Sequence, residues 1–142
     1  MKTLNLRIAT LEKLIFDGAV QSVTLPGIAG VLTILPNHMP LITPLSLGEI
    51  IARGEHDEFL MAISSGMLEV QAERVLVLAD EAERAEEIDE ERAEEARKRA
   101  EQIMHEKRED KETFAQAEAE LQRALLRLKI IQKFKRTKRS NV

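Results

Sequence analysis

Leu4, Leu6 and Ile8 alternate with Thr3, Asn5 and Arg7 near the start of the chain, and a period of two marks a strand with one buried face. The same pattern predicts strands over residues 20–25, 31–35, 49–52, 59–63, 67–70 and 75–78. Turn-forming residues fall between them, at Gly18, Pro26-Gly27, Gly30, Pro36-Asn37, Gly48, Gly54 and Ser65-Gly66. Many short strands joined by tight turns predict an antiparallel β-sandwich or flattened barrel, not a parallel sheet with crossover helices. One segment departs from the alternation. Pro36, Pro40 and Pro44 interrupt ladder pairing yet hold the chain extended, so Met39, Leu41 and Ile42 are expected on a stiff loop. Two readings fit that loop: a docking surface for a partner, and a proline-shaped corner that closes the sandwich.

Beyond Gly66 the chain contains neither glycine nor proline, so nothing interrupts a helix. From Ala82, the small residues Ala82, Ala85, Ala93, Ala96, Ala100 and Ile103 recur at three- and four-residue steps or their sums, amid Glu, Arg and Lys. That predicts an amphipathic helix whose buried stripe is mostly methyl groups. Residues 107–111 carry no stripe and mark a turn. Phe114, Ala117, Leu121, Ala124, Leu128 and Ile131 then alternate in steps of three and four, with Leu125 and Phe134 widening the face, which predicts a second, antiparallel helix. The chain thus divides into a β-sandwich over 1–81 and a two-helix hairpin over 82–142. A buried methyl contributes about 0.8 kcal/mol and a Leu or Ile roughly 1.5 to 3. The first helix therefore gains little from its partner, and the hairpin is expected to be a weakly held arm able to fold against the sandwich or extend from it.

Composition narrows the chemistry. With 142 residues, 44% hydrophobic, no Trp, no Tyr and four Phe, the core must be aliphatic, and an aromatic-lined pocket is not expected. The absence of cysteine excludes disulfides, a thiol nucleophile and a thiolate metal site. The start carries no signal-peptide pattern and no apolar run reaches a bilayer span, so the chain is expected to be soluble. The net charge of -4 conceals segregation: Glu dominates residues 81–101, while over 123–139 the only charges are Lys and Arg.

His38, His56 and His105 have no spacing that suits shared metal ligation. Ser64-Ser65-Gly66 lacks a nucleophile-elbow pattern, and Gly27-Ile28-Ala29-Gly30 is only superficially like the GxxG loop of RNA-binding KH domains. No catalytic residue and no metal are expected. A nucleic-acid-binding module using the basic tail is the alternative from another class, weakened by the scarcity of aromatics and the acidic first helix. Asp89, Arg92 and Arg99 share a helix face, and Arg123 and Arg127 form an i,i+4 pair. Folding the hairpin brings these arginines toward one region, where packed guanidinium groups need an anion. Solvated arginines bridged to neighbouring glutamates account for the same residues.

The opening strand, the run Val31-Leu32-Thr33-Ile34-Leu35-Pro36-Asn37-His38-Met39-Pro40-Leu41 after Gly27–Gly30, the hairpin Ser64-Ser65-Gly66-Met67-Leu68-Glu69-Val70 and Ala82-Glu83-Arg84-Ala85 together resemble the epsilon subunits of bacterial F-type ATP synthases. The resemblance covers nearly the whole chain. It implies a rotor component without catalytic activity, whose sandwich binds the gamma subunit and rests on the c-ring, with Val31, His38, Met39 and Leu41 on the docking side. It also implies a hairpin that inhibits ATP hydrolysis when extended toward the alpha and beta subunits. No nucleic acid is then involved, and the membrane is touched only through the c-ring, at the cytoplasmic face of the bacterial plasma membrane. Ile88-Asp89-Glu90-Glu91-Arg92-Ala93 is similar to the family's ATP-binding pattern Ile/Leu-Asp-x-x-Arg-Ala, with Glu83, Arg99, Arg123 and Arg127 at supporting positions. ATP is then a regulatory ligand that staples the folded hairpin. Many family members carry Glu, Gly and Gly where this chain has Val31, Thr33 and Asn37. Glu90 and Glu91 add negative charge beside the nucleotide motif, and the basic ending from Lys133 to Arg139 is longer than usual.

Overall fold

A computed structural model describes residues 2–140, apart from the side chains of Arg139 and Ser140; the expected basic ending thus includes one side chain, Arg139, outside the described residues. The chain forms two compact units, one ending at Arg84 and the next beginning at Ala85. The first contains β1 (Leu4–Ala9), β2 (Leu14–Val20), β3 (Ser22–Gly27), β4 (Gly30–Ile34), β5 (Leu41–Leu45), β6 (Gly48–Arg53), β7 (Glu58–Ile63), β8 (Gly66–Val70), β9 (Arg74–Ala79) and β10 (Ala82–Arg84). They form one sheet in the order β10-β7-β6-β3-β5-β8-β9-β1-β2, with β4 paired to β3. Every described pairing is antiparallel except the parallel pair of β1 and β9.

The two ends of this path meet, so the sheet wraps into a nearly closed, flattened barrel. Arg84 on β10 donates from Nε to the Ile15 carbonyl on β2 at 2.8 Å, and its guanidinium lies 5.5 Å from the Phe16 ring centre. One arginine thus bridges two edges that would otherwise present open backbone. Alternation sends Leu6, Ile8, Val23, Leu25, Ile50, Met61, Leu68 and Val77 into an aliphatic interior. Among the described residues no polar or charged residue is buried, so this interior is held by packing and not by polar pairing.

The sheet differs from the sequence expectation in four places. Residues 20–25 are not one strand: β2 ends at Val20 and β3 begins at Ser22, with Gln21 at the corner donating its amide to Arg53. Gly18 is not a turn but lies within β2 opposite Leu6; a register shift between Ile8 and Ala9 lets both Ile15 and Phe16 be buried and hides the period of two. The proline segment does pair, because β5 runs antiparallel to β8 with Pro44 opposite Met67. Its other edge meets β3 only at Gly27, and an almost open edge tolerates a residue without an N–H. Leu41 is consequently half-buried against the core and not displayed, whereas Met39 and Ile42 are exposed. Ala82–Arg84, expected to open the first helix, is a strand paired with β7, and Ala82 packs against the sandwich core. Pairing with β7 overrides the helical preference of Ala, Glu and Arg.

In the second unit a 3-10 turn, Ala85–Glu87, precedes α1 (Glu90–Glu106) and α2 (Lys111–Ser140), which pack against each other with the reversal at the expected turn. Asp110 opens α2: it accepts from the Thr113 hydroxyl at 2.9 Å and the Thr113 amide at 3.3 Å, and these bonds hold its carboxyl below the ordinary aspartate range. This part of the cap is therefore complete above the unfolded aspartate pKa and is lost as pH falls through the lowered folded value. Ala93 and Ala100 on α1 and Ala117, Ala124 and Ile131 on α2 are buried at heptad spacing. Leu125 does not widen this face but is 42% exposed, while Ile130, not expected inside, is fully buried.

Gly66 fixes the close approach of β8 to β9: a Cβ there would collide with the Leu78 carbonyl oxygen and lie 2.9 Å from the Ala79 Cα. Backbone cannot yield as a side chain does. Gly66→Ala is expected to destabilise the sandwich by about 1–3 kcal/mol, measured by urea unfolding; unchanged stability would contradict the close approach.

Candidate functional site

The outer face of the sandwich carries a row that its strand periodicity does not require to be apolar. Register pairs Leu14 on β2 with Ala9 on β1, Ala9 with Leu78 on β9, Leu78 with Met67 on β8, and Met67 with Pro44 on β5. Leu14, Leu78 and Met67 are 56%, 54% and 44% exposed. The row continues at the β3–β4 turn, where the Ile28 amide donates to the Pro44 carbonyl at 3.1 Å, and both Ile28 and Val31 project into solvent. This apolar band across five strands, prolonged by a hairpin tip, is contiguous, unlike apolar residues scattered singly over a surface.

The next row on the same face is polar. Arg7 and Asp17 pair across β1 and β2 at 3.2 Å, and Arg7 lies opposite Leu76, which lies opposite Glu69. Asn5, Arg7, Glu69, Gln71, Arg74 and Leu76 line a shallow hollow, in which Arg74 donates to Gln71 and Gln71 to Glu69. The face is therefore graded, apolar at the end near the β3–β4 turn and hydrogen-bonding at the other.

The four residues expected to dock are not gathered at one point. Val31 sits near the start of β4 beside the apolar row, whereas His38 and Met39 lie beyond the strand's far end, so that about 10 Å of strand separates Val31 from Ile34 alone. Asn37 adopts φ 65°, a left-handed conformation that asparagine tolerates, and His38 is held through Nδ1 to the Met39 carbonyl oxygen at 2.7 Å. Pattern analysis missed Leu14, Pro44, Met67 and Leu78 as surface residues, because an outward row is visible only once the register of five strands is known.

The nucleotide-like motif occupies the start of α1. Asp89 is the N-cap: its backbone is extended at φ -86° and ψ 103°, and its side chain accepts from the Arg92 amide at 3.2 Å. Ile88 and Ala93 flank this cap at the two positions that form a hydrophobic staple, and both are buried. Ile88, Asp89, Arg92 and Ala93 thus form one local unit with a structural purpose of its own. The Arg92 guanidinium stays 82% exposed, 3.9 Å from Asp89. Arg99 is exposed two turns along α1; on α2 Arg123 is exposed and Arg127 half-buried. Glu83 is on β10, opposite Ala62, and not on a helix. Along another flank of α1, Arg97 is held by Glu94 and, at 2.9 Å, by Glu101; hydrogen bonding to Arg97 lowers the Glu94 pKa. Asp89, Glu90, Glu91, Glu94 and Glu95 surround an adjacent hollow with Lys98, and Glu95 lies between Arg92 and Arg99 on their own helix face. Among the described residues no three His, Cys, Asp or Glu side chains are grouped to hold a metal, and no helix is long and apolar enough to cross a membrane.

A β-sandwich followed by a two-helix hairpin is also the order of elements that the comparisons with known proteins return. The family model for the ATP synthase delta/epsilon chain β-sandwich domain matches residues 3–85, and that for the delta/epsilon long α-helix domain matches 86–132. The chain belongs to the ATP synthase delta/epsilon family, on its epsilon side, and is not the catalytic subunit. It is 48% identical to an ATP synthase epsilon chain of Dehalococcoides mccartyi over 94% of its own length and 95% of that chain. It is 47% identical to one from Moorella thermoacetica, over 91% and 96%. Its fold matches a chain in the cryo-EM structure of the Euglena gracilis mitochondrial ATP synthase OSCP/F1/c-ring, with TM-score 0.75, 22% identity and coverage of 86% and 77%. A chain of the Tetrahymena thermophila mitochondrial ATP synthase central stalk and c-ring matches with TM-score 0.51 at 16% identity, over 61% and 69%.

Asp89→Ala removes the α1 cap and is expected to destabilise the hairpin by about 1 kcal/mol, with faster amide hydrogen exchange in the first turn of α1. Asp89→Asn preserves the cap and should leave exchange unchanged. Equal exchange in the Ala variant would contradict the capping role.

Proposed function

We propose that the protein is a central-stalk subunit of a proton-translocating F-type ATP synthase, coupling the gamma subunit to the c-ring. The carrying observation is the outward apolar row from Leu14 through Met67 and Pro44 to Ile28. Strand alternation calls for polar residues there, and burying the row against a partner gains free energy that the free chain forgoes. The gamma subunit covers the row, and the turn bearing Ile28 and Val31 rests on the polar loops of the ring. His38 and Met39, at the far end of β4, make a separate contact on the same stalk. The assemblies named for the Euglena and Tetrahymena chains support this reading. The protein then works at the cytoplasmic face of the bacterial plasma membrane, held there through the ring.

The hairpin is the regulatory part. Extended toward the catalytic alpha and beta subunits it inhibits ATP hydrolysis, and folded it does not. ATP favours the folded form, with Arg92, Arg99, Arg123 and Arg127 facing its phosphates and Glu83, Ile88, Asp89 and Ala93 completing the site. The exposed Arg92 guanidinium, anchored on a capped turn, supports this assignment. At 100 times its dissociation constant a ligand stabilises the state it binds by about 2.7 kcal/mol. That is the worth of roughly three buried methyl groups, enough to matter for a seam built on Ala93, Ala100, Ala117 and Ala124.

Met67→Glu with Leu78→Glu places two carboxylates in the row without disturbing the core. Affinity for purified gamma subunit is expected to fall at least about tenfold, the equivalent of 1.4 kcal/mol, in a titration monitored by calorimetry. Undiminished binding would remove the row from the interface. Arg92→Ala and Arg127→Ala are each expected to weaken ATP binding by about 10- to 100-fold, the range for a charge-assisted hydrogen bond, with the sandwich still folded. Unchanged ATP affinity in both variants would dismiss these arginines.

A further inference from the structure

Near the open end of the hairpin one carboxylate links the two helices. Glu90, the first residue of α1, accepts from the Gln132 side-chain amide on Oε1 at 3.0 Å and pairs through Oε2 with the Lys135 ammonium, both on α2. These partners are 42 and 45 residues away in sequence, and the turn at Lys107–Asp110 lies midway, so the contact is at the end farthest from the covalent link. Gln132 and Lys135 are three apart and share one helix face. Both oxygens of Glu90 are thus engaged by one side of α2. The antiparallel arrangement favours the pair a second time, because Glu90 lies at the positive end of α1 and Lys135 in the closing turns of α2.

We propose that Glu90, Gln132 and Lys135 form a ligand-independent latch that holds the two helices of the hairpin together and sets how readily they separate. The claim rests on the reading of the hairpin as a moving arm but needs no nucleotide. Along α1 the buried contacts are the small residues Ala93 and Ala100, and the larger apolar groups near the open end are Ile88 before the helix and Ile130 and Ile131 on α2, so a polar contact there adds to a seam that is small-sided on α1. An ion pair near the open end of a two-helix lever must break when the helices part and re-form when they close. Its side chains are 48% and 39% exposed for Lys135 and Glu90, which makes the latch modest in strength and sensitive to salt. Of the two carboxylates that follow Asp89, Glu90 is thus engaged by α2, while Glu91 is exposed.

The chain has no cysteine, so Glu91→Cys and Arg136→Cys, both at exposed positions, allow a spin-label pair across the open end of the otherwise intact protein. Distances are read without ATP at low salt and at about 1 M salt, where the screening length is about 3 Å. In this background Glu90→Gln is expected to raise the long-distance population about two- to fivefold at low salt, the range of a half-exposed pair. High salt should raise it in the parent and leave the Glu90→Gln variant unchanged. Glu90→Lys combined with Lys135→Glu should recover part of the closed population, and circular dichroism should show equal helix content throughout. Identical distributions for parent and Glu90→Gln at low salt would overturn the latch, as would equal salt responses. ATP added afterwards tests the other reading separately: opening by Glu90→Gln with no response to ATP in the parent supports the latch and removes the nucleotide.

Discussion

The register of the strands around one closed sheet is the constraint on which the rest depends. Because side chains alternate across a strand, one set of pairings fills the interior with Leu6, Ile8, Leu25, Ile50, Leu68 and Val77 and aligns Leu14, Ala9, Leu78, Met67 and Pro44 outside. A slip of one residue would exchange the two sets. The outward apolar row is thus held by the same free energy that builds the core, and it can be rigid without any polar framework of its own. Arg84 completes the arrangement by bridging β10 and β2, the edges through which such a sheet would otherwise fray or recruit a neighbour.

The hairpin obeys different rules. Its termini are defined by polar caps at Asp89 and Asp110. Its seam contains alanine on both helices, so each buried layer contributes little, and half-exposed contacts such as Glu90 with Lys135 become comparable with the packing. Under the proposed function, a unit balanced in this way is the part open to adjustment by ligands and salt, whereas the sandwich has a continuous aliphatic interior. The chain thus joins two units held together by different kinds of interaction. That combination suits the proposed function, in which coupling is constant and inhibition variable.

Legibility in the sequence followed the range of the interactions. Local patterns were readable: the alternation at Leu4, Leu6 and Ile8, the Gly66 hairpin, and the turn before Asp110 all lie where the pattern predicts. β2 was not, because the register shift at Ile8 and Ala9 breaks its period. Nor was β10, since Ala82-Glu83-Arg84 prefers a helix by itself and becomes a strand only by pairing with β7. Prolines concealed β5, whose nearly open edge excuses Pro44. The motif at residues 88–93 was visible, but its capping function emerged only from the Asp89 geometry, and the outward row emerged only from non-local pairing.

Methyl NMR of the full chain, with labelled methionine, leucine and isoleucine, tests the division into platform and arm most directly when purified gamma subunit is added. Met67, Leu78, Leu14 and Ile28 should shift or broaden together, while Leu121 and Leu128 keep their free-state positions. Silent methyls in the row, with perturbation confined to the hairpin, would contradict the account.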